Sequence, residues 1–431
     1  MMKISILTLG CKVNQAESSS IEGALKSFGH KIVELTEKPE VCIINTCTVT
    51  SKSDYQSRQL IRRAHRAGAR VLVTGCYSEL NKESVSAMEG VEDVIVNNNK
   101  LDIVYKLTGY RIDSSLYFPA QTSRCDSKPR SRLFIKIQDG CNYSCSYCAI
   151  QRARGISRSV DAEVVVEHVN KAVESGYREI VLTGIHLGTY GHDLKHKVTL
   201  SSLLVTLLKK TKISRIRLSS LEVREVDDEL IEIFSDKRLC NHLHIPLQSG
   251  DDNILKSMNR LYNSQQFSFK IEDICKRVPN IAVGTDIIVG FPGEGEPEFQ
   301  NTYNLLESLP ITFMHIFPFS PRPDTEALKM HDNTPFPVKK KRARALEALN
   351  KRKKTEYMTK QIGKTLDVLI EESRGDGACY GTSSNYLKIL IPSKTYSRGS
   401  LVCARIEGYK SESTRNEKGS LLASHSYHIT E

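Results

Sequence analysis

ISILTLGC, VCIINTC and RVLVTGC are aliphatic runs that each close on a cysteine, at Cys11, Cys47 and Cys76. Between them lie segments whose apolar positions recur three and four residues apart, which predicts strands followed by helices. The first helix runs from about Asn14 to Phe28, and VEDVIV reads as a fourth strand. Such alternation implies a parallel sheet with helices on its faces, and it fills residues 1–112. Residues 113–130 are polar, with Ser, Asp, Pro and Arg, and read as a linker; Cys125 lies there without a nameable partner. Over residues 131–336 the alternation resumes with six strands: LFIKIQ, EIVLTG, IRLSS, LHIPLQ, VGTDIIVG and MHIFPF. Six successive units predict a barrel or partial barrel, whose catalytic groups sit on loops at the strands' C-terminal ends. Residues 337–362 read as a long basic helix with Leu346 and Leu349 on a packing face. In residues 363–431, TLDVLIEES, NYLKILIP and LVCARIEGYK are short strands between Gly- and Ser-rich turns. They predict a small antiparallel barrel of OB-like style. The expected class is α/β: a parallel sheet domain, a partial (β/α)6 barrel, and a small β-barrel.

Composition narrows the function classes. Neither an apolar leader nor a run of eighteen apolar residues occurs, so the chain reads as cytosolic, with no membrane partner. Twelve cysteines in that setting favour metal or redox chemistry over a disulfide framework. The net charge of +11 is uneven: from Pro337 to Glu431 there are 19 Lys and Arg against 10 Asp and Glu. That asymmetry suits a polyanion, nucleic acid before membrane, although a basic face is also simply a well-solvated one. Lys339, Lys340, Lys341 and Arg342 on the helix are candidate RNA contacts. Lys388, Arg398 and Arg405 are candidates on the small barrel, where Tyr386, Tyr396, Tyr409 and Lys410 add the aromatic and basic mixture of RNA-binding surfaces.

Candidate chemistry gathers at strand ends. Cys11, Cys47 and Cys76 are 36 and 29 residues apart, each about one strand–helix unit, so neighbouring strands can bring the thiols to one rim. Gly10, Thr46 and Gly75 flank them in turns where backbone can approach a cluster. A single such cysteine would read as a small buried hydrophobe; three in equivalent positions read as ligands. Cys42, Cys240, Cys275, Cys379 and Cys403 read as core thiols. After the first barrel strand, GCNYSCSYC sets Cys141, Cys145 and Cys148 in C-x3-C-x2-C spacing. A structural zinc site takes four ligands, and no fourth Cys or His lies nearby. Iron–sulfur clusters are also held by thiolates, and three leave one iron open to a small molecule.

The three-cysteine loop, with Tyr147 before its last cysteine, after the first strand of a partial barrel, resembles the radical S-adenosylmethionine enzymes. The resemblance implies a 4Fe-4S cluster on Cys141, Cys145 and Cys148 that binds and reductively cleaves S-adenosylmethionine. It also assigns cofactor contacts to Tyr147, to Thr183 and Gly184 in LTGIHLG, and to Ser219, Ser220 and Glu222 in SSLE. Gln248 and Ser249 in IPLQSG, and Gly290, Phe291 and Pro292 in IIVGFPGE, complete that set. With Cys11, Cys47 and Cys76 ahead of it, the whole chain resembles the methylthiotransferases, which join an N-terminal cluster domain, a radical core and a C-terminal TRAM domain. This implies a second 4Fe-4S cluster, tRNA anticodon-loop recognition, and an electron donor such as flavodoxin or ferredoxin. TLGCKVNQAES, NTCTVT and VLTGIHLG are most similar to enzymes that act on N6-threonylcarbamoyladenosine at tRNA position 37 and replace the C2 hydrogen with CH3–S. Gln151, Arg152 and Asp324 depart from the usual pattern near the substrate mouth. Alternatives are another tRNA base, a ribosomal protein, or a non-catalytic RNA-binding protein with structural metals.

Overall fold

Residue 44 of the third N-terminal strand packs on one helix layer and residue 43 on the other, and that alternation organises the first domain. The computed structural model describes residues 1–112, 131–331, 334–373, 377–392, 396–410 and 420–428; the expected linker with Cys125, and the side chain of Lys410, lie outside the described set. The N-terminal sheet is wholly parallel, in the order Lys31–Ile32, Lys3–Thr8, Val41–Thr46, Arg70–Gly75, Val91–Val94. Cys42, Ile44, Val71 and Val73 pack with Ile61 and Ala64 of helix Ser51–Arg66. Val41, Ile43 and Leu72 pack with Ile21 and Leu25 of helix Lys12–Ser27. A strand covered on both faces reads as a continuous apolar run, as VCIINT does. Lys31–Ile32 is an edge strand that the hydrophobic pattern did not reveal.

All six expected barrel strands form: Leu133–Lys136, Glu179–Thr183, Arg215–Leu218, His242–His244, Ala282–Val289 and Phe313–Pro318. The first three pair in the order third, second, first, and the last three in the order fourth, fifth, sixth, all parallel. Backbone bonds Ile216 N–H to Arg238 O (2.7 Å) and Cys240 N–H to Ile216 O (2.8 Å) join the halves. Among the described residues the first and sixth strands do not pair, so the barrel is open on one side. Helix Lys12–Ser27 of the N-terminal domain packs beside the first strand there, where Lys136 pairs with Glu17 at 2.9 Å. One continuous core, from Leu133 to Leu349, fills the barrel wall and its outer helices.

Helix Phe336–Thr359 buries Leu346 and Leu349 against that core, the face read from sequence. It leads into a closed five-stranded barrel of strands Thr365–Ser373, Cys379–Ser383, Lys388–Ile391, Leu401–Lys410 and Ser420–His428. Two of the five, Cys379–Ser383 and Ser420–His428, were not anticipated. The barrel is not purely antiparallel, because its third and fifth strands pair in parallel, Ile389 with Leu421. Cys42, Cys240 and Cys379 are buried, as core thiols should be, whereas Cys275 and Cys403 are only half-buried.

Candidate active site

Three adjacent strands of the N-terminal sheet end at one rim and deliver Cys11, Cys47 and Cys76 there. Cys11 caps helix Lys12–Ser27 and Cys76 begins helix Cys76–Leu80. Gly10 and Gly75 make this approach possible, both at positive φ (99° and 105°). A Cβ on Gly10 would lie 2.9 Å from the Cys47 sulfur, and one on Gly75 would lie 2.3 Å from the Thr46 carbonyl. Asn14 ties the loops together, its Nδ2 donating to Leu9 O (2.8 Å) and Thr46 O (2.9 Å). Burial pushes the Cys47 thiol up to about 11 and raises Cys76 as well, so these groups stay protonated until a metal displaces the proton.

The second trio follows the first barrel strand. Sulfurs there collect N–H donors: Tyr143 N–H to Cys141 (3.4 Å), Ile150 N–H to Cys148 (3.4 Å) and Arg260 Nη1 to Cys145 (3.3 Å). His186 Nδ1 stands 3.5 Å from the Cys141 sulfur, and its Nε2 is 2.5 Å from Glu225. Such donors tune metal thiolates from outside the ligand set. Burial pushes Cys148 to about 12 and raises Cys145. Among the described residues each trio offers three free thiols and no fourth protein ligand of its own, the donor type that holds iron–sulfur clusters.

Arg154 joins the two sites. It lies six residues after Cys148, on helix Ile150–Arg154, and is 1% exposed. Its Nε donates to the Cys76 sulfur at 3.3 Å, and its Nη1 donates to Glu17 (2.9 Å) and Asp139 (2.8 Å). Its Nη2 donates to Asn14 Oδ1 at 2.5 Å. Burial alone would raise the Glu17 carboxyl, but Lys100, Lys136 and Arg154 hold it well below the carboxylate range. Arg322 makes a second tie, donating to Asp54 (2.6 Å), Thr48 O (3.2 Å) and Ser51 Oγ (2.7 Å) just after Cys47. The trios therefore stand at one domain junction. Arg154, Glu17 and His186 were not singled out from sequence; an arginine six residues past a cysteine loop carries no local mark of its distant partners.

The residues expected around the cofactor fall into two groups. Ser219 fits a polar ligand, because its buried hydroxyl has no hydrogen-bond partner. Glu222 binds Arg260, the same guanidinium that holds Cys145. Gln248 sits at φ 69°, and the neighbouring Ser249 is fully buried. Thr183 is buried, and Gly184 abuts Gln138, whose Oε1 a Cβ would meet at 2.7 Å. The Phe291 ring is fully buried in a satellite cluster, edge-on to Phe319 (5.3 Å) and to Tyr147 (6.4 Å), another residue assigned to the cofactor. Gly290 packs on the Lys339 stem, and Pro292 is buried.

The RNA assignments also divide. Lys340, Lys341, Lys388 and Arg405 are exposed. Lys339 and Arg342 are buried, contrary to a surface role: Lys339 lies over the Phe319 ring at 5.3 Å, and Arg342 pairs with Glu294 at 2.8 Å. Both anchor the helix to the barrel. Lys388 is engaged by Glu371, and Arg398 donates to Glu371 O at 2.5 Å. Tyr396 is buried in the small barrel's core, with Tyr409 partly packed against it. Two of the three departures near the mouth pair with each other: Arg152 meets Asp324 at 2.7 Å, and Asp324 takes the left-handed φ of 57° that a glycine would hold without strain.

A cluster unseen in the sequence lines the barrel lumen. Asp286 accepts from His244 (2.9 Å) and His315 (3.1 Å) on one carboxylate oxygen. Lys12, next to Cys11, is half-buried at the start of helix Lys12–Ser27. Burial, with Arg217 and Arg132, lowers its ammonium to about 8.

The open barrel with a three-thiol loop at its rim defines the radical S-adenosylmethionine class, and the sequence model of the Radical SAM superfamily matches residues 135–306. A model described as "Uncharacterized protein family UPF0004" matches residues 3–97. The TsrM radical S-adenosylmethionine methyltransferase from Kitasatospora setae shares the fold, with TM-score 0.54 at 14% identity over 74% of this chain and 75% of that one. A Bacillus subtilis (strain 168) protein named threonylcarbamoyladenosine tRNA methylthiotransferase MtaB is 36% identical, with 94% of each chain covered. An Aliarcobacter butzleri tRNA-2-methylthio-N(6)-dimethylallyladenosine synthase is 32% identical over 96% of this chain and 98% of its own. The chain belongs to the methylthiotransferase family of radical S-adenosylmethionine enzymes. It is a transferase, and its family works with S-adenosylmethionine and 4Fe-4S clusters.

Proposed function

We propose that this enzyme converts N6-threonylcarbamoyladenosine at position 37 of tRNA to its 2-methylthio derivative. The observation that carries the reading is the bridge of Arg154 from the Cys141–Cys148 loop to the Cys76 sulfur at 3.3 Å, which sets two three-thiol sites at one junction. Relatives over nearly the full chain length support the substrate class. Cys11, Cys47 and Cys76 hold one cluster, and Cys141, Cys145 and Cys148 hold the other. When bound, the clusters and S-adenosylmethionine would supply hydrogen-atom abstraction from carbon and a methylated sulfur. The chain's own work is positional. Arg260 and His186 fix the second trio, Ser219 offers its unpaired hydroxyl to the cofactor, and closure of the junction excludes water from reactive species. The base leaves its stack to enter between the sites. Lys340, Lys341 and Arg405, exposed on the helix and small barrel, contact anticodon-stem phosphates. A flavodoxin- or ferredoxin-type protein delivers the electron.

Anaerobic reconstitution with tRNA carrying or lacking the threonylcarbamoyl group tests this, with nucleosides read by mass spectrometry. A 2-methylthio product from the modified tRNA alone is expected. Product from a dimethylallyl-bearing tRNA instead would replace the substrate assignment.

A further inference from the structure

A ladder of aromatic rings runs along the sixth barrel strand, and neither thiol site uses it. Side chains on strand Phe313–Pro318 alternate. Met314 and Ile316 pack into the core of the barrel wall, so Phe313, His315 and Phe317 take the opposite face. Among the described residues this strand pairs on one side only and borders the barrel's opening. Phe317 stands 6.4 Å from His315, and His315 stands 5.8 Å from Phe313. His244 of the fourth strand joins both, at 5.0 Å from His315 and 5.9 Å from Phe313. That contact crosses the fifth strand at Gly284, where a Cβ would lie 2.2 Å from the Phe313 ring. Phe313 continues to His242 at 5.6 Å with planes 1° apart, and His242 to Tyr386 of the small barrel at 4.5 Å. Each step lies in the range of stacked or edge-to-face ring pairs.

The ladder is rigid and its outward rings are open. His315 is 57% exposed in its side chain, and Phe317 and Tyr386 are each 39% exposed. Asp286 takes one nitrogen from His244 (2.9 Å) and one from His315 (3.1 Å), which fixes both rings. His242 is buried with both ring nitrogens unpartnered, so its faces and not its polar atoms hold it. Tyr386 sits at φ 64°, a left-handed backbone that bulky residues avoid, and such strain gathers at functional positions. At the other end, Phe317 is three residues before Ser320. The Ser320 hydroxyl accepts from the Ser51 N–H at 3.1 Å, four residues after Cys47. The rings therefore run from the small barrel to the junction of the thiol trios.

We propose that this ladder is a stacking track for unpaired nucleotides of the anticodon loop, which rest on Tyr386, His315 and Phe317 while the target adenosine enters the junction. This rests on the functional reading above and names how the loop is held within it. Every base has a π-face, so rings bind single strands whatever their sequence. Extruding one base leaves its neighbours without a stacking partner, which exposed rings replace. The excess of 19 Lys and Arg over 10 Asp and Glu from Pro337 to Glu431 suits the phosphates of the same strand.

The test titrates the cluster-loaded full chain with anticodon stem-loop RNA bearing N6-threonylcarbamoyladenosine, read by fluorescence anisotropy at several salt concentrations. Phe317→Ala and Tyr386→Ala should each weaken binding about 5- to 100-fold, the range of one lost base–ring stack, with the salt slope unchanged. Lys340→Ala should instead lower that slope by about one. Phe317→Tyr should bind as wild type does. RNA made abasic beside position 37 should cost wild type a similar factor and the alanine variants little more. Thermal midpoints and iron counts show that fold and clusters survive. Alanine variants that bind like wild type, or a loss that abasic RNA does not mirror, would overturn the track. Unchanged affinity with 2-methylthio product still formed sinks the track and leaves the substrate reading standing. Weakened binding in both variants, with no 2-methylthio product from wild type on any tRNA, does the reverse.

Discussion

Arg154→Met would leave the Glu17 and Asp139 carboxylates in a site closed to water with one cation fewer. Breaking a buried charge network in this way costs about 3–5 kcal/mol. We expect a large fall in thermal midpoint together with loss of iron from the N-terminal site, since the Cys76 sulfur also loses its donor. Arg154→Lys keeps the charge but cannot reach four partners at once, so most of the defect should persist. Asp324→Gly acts in the opposite sense. It breaks an exposed pair with Arg152, worth about 0–1 kcal/mol, and relieves a left-handed backbone. Stability should change by less than about 1 kcal/mol in chemical denaturation, because the two effects offset each other.

At the scale of elements, the strand ends decide where chemistry sits. Gly75→Ala forces a Cβ to within 2.3 Å of the Thr46 carbonyl, at a φ that L side chains avoid. Both loops are backbone, so neither can yield cheaply. We expect loss of more than about 2 kcal/mol in denaturant unfolding and weakened iron retention at Cys47 and Cys76. These strands and their cysteines were legible in the sequence because each is a local statement: an aliphatic run, a small residue, a thiol. The same holds for Leu346 and Leu349 on the basic helix. What escaped was convergence. His244, Asp286 and His315 come from three strands, and only the barrel's register brings Asp286 opposite His315. Lys339 and Arg342 look like their exposed neighbours Lys340 and Lys341 until helical rotation turns them inward onto Phe319 and Glu294. Strand Cys379–Ser383 is short and holds Gly, Thr and Ser, so apolar patterning passes over it.

Across the whole molecule, buried arginines are the joints. Arg154 and Arg322 fasten the N-terminal sheet to the barrel rim. Arg215 and Arg217 fasten the barrel's other end to the small barrel, Arg217 donating to Ser384 O (2.8 Å) and Ser383 O (3.1 Å). Glu179 neutralises that second joint. Burial works to raise its carboxyl, but Arg215, Arg217 and Arg132 lower it from 4.5 to about 2. Its contribution is therefore complete above pH 4.5 and disappears as pH falls toward 2. Glu179→Gln should lower stability at neutral pH and flatten the acid side of the stability profile, as measured by thermal midpoint between pH 5 and pH 3. Unchanged acid sensitivity in that variant would assign the acid lability elsewhere. No helix among the described residues is long and apolar enough to cross a membrane. The central claim is that two three-thiol sites, joined through Arg154, face one another across this junction. Electron paramagnetic resonance of the anaerobically reconstituted, fully reduced protein measures this most directly. We expect spin–spin broadening between two clusters that disappears when either Cys11, Cys47 and Cys76 or Cys141, Cys145 and Cys148 are replaced by alanine. A spectrum equal to the sum of the two single-cluster variants would contradict it.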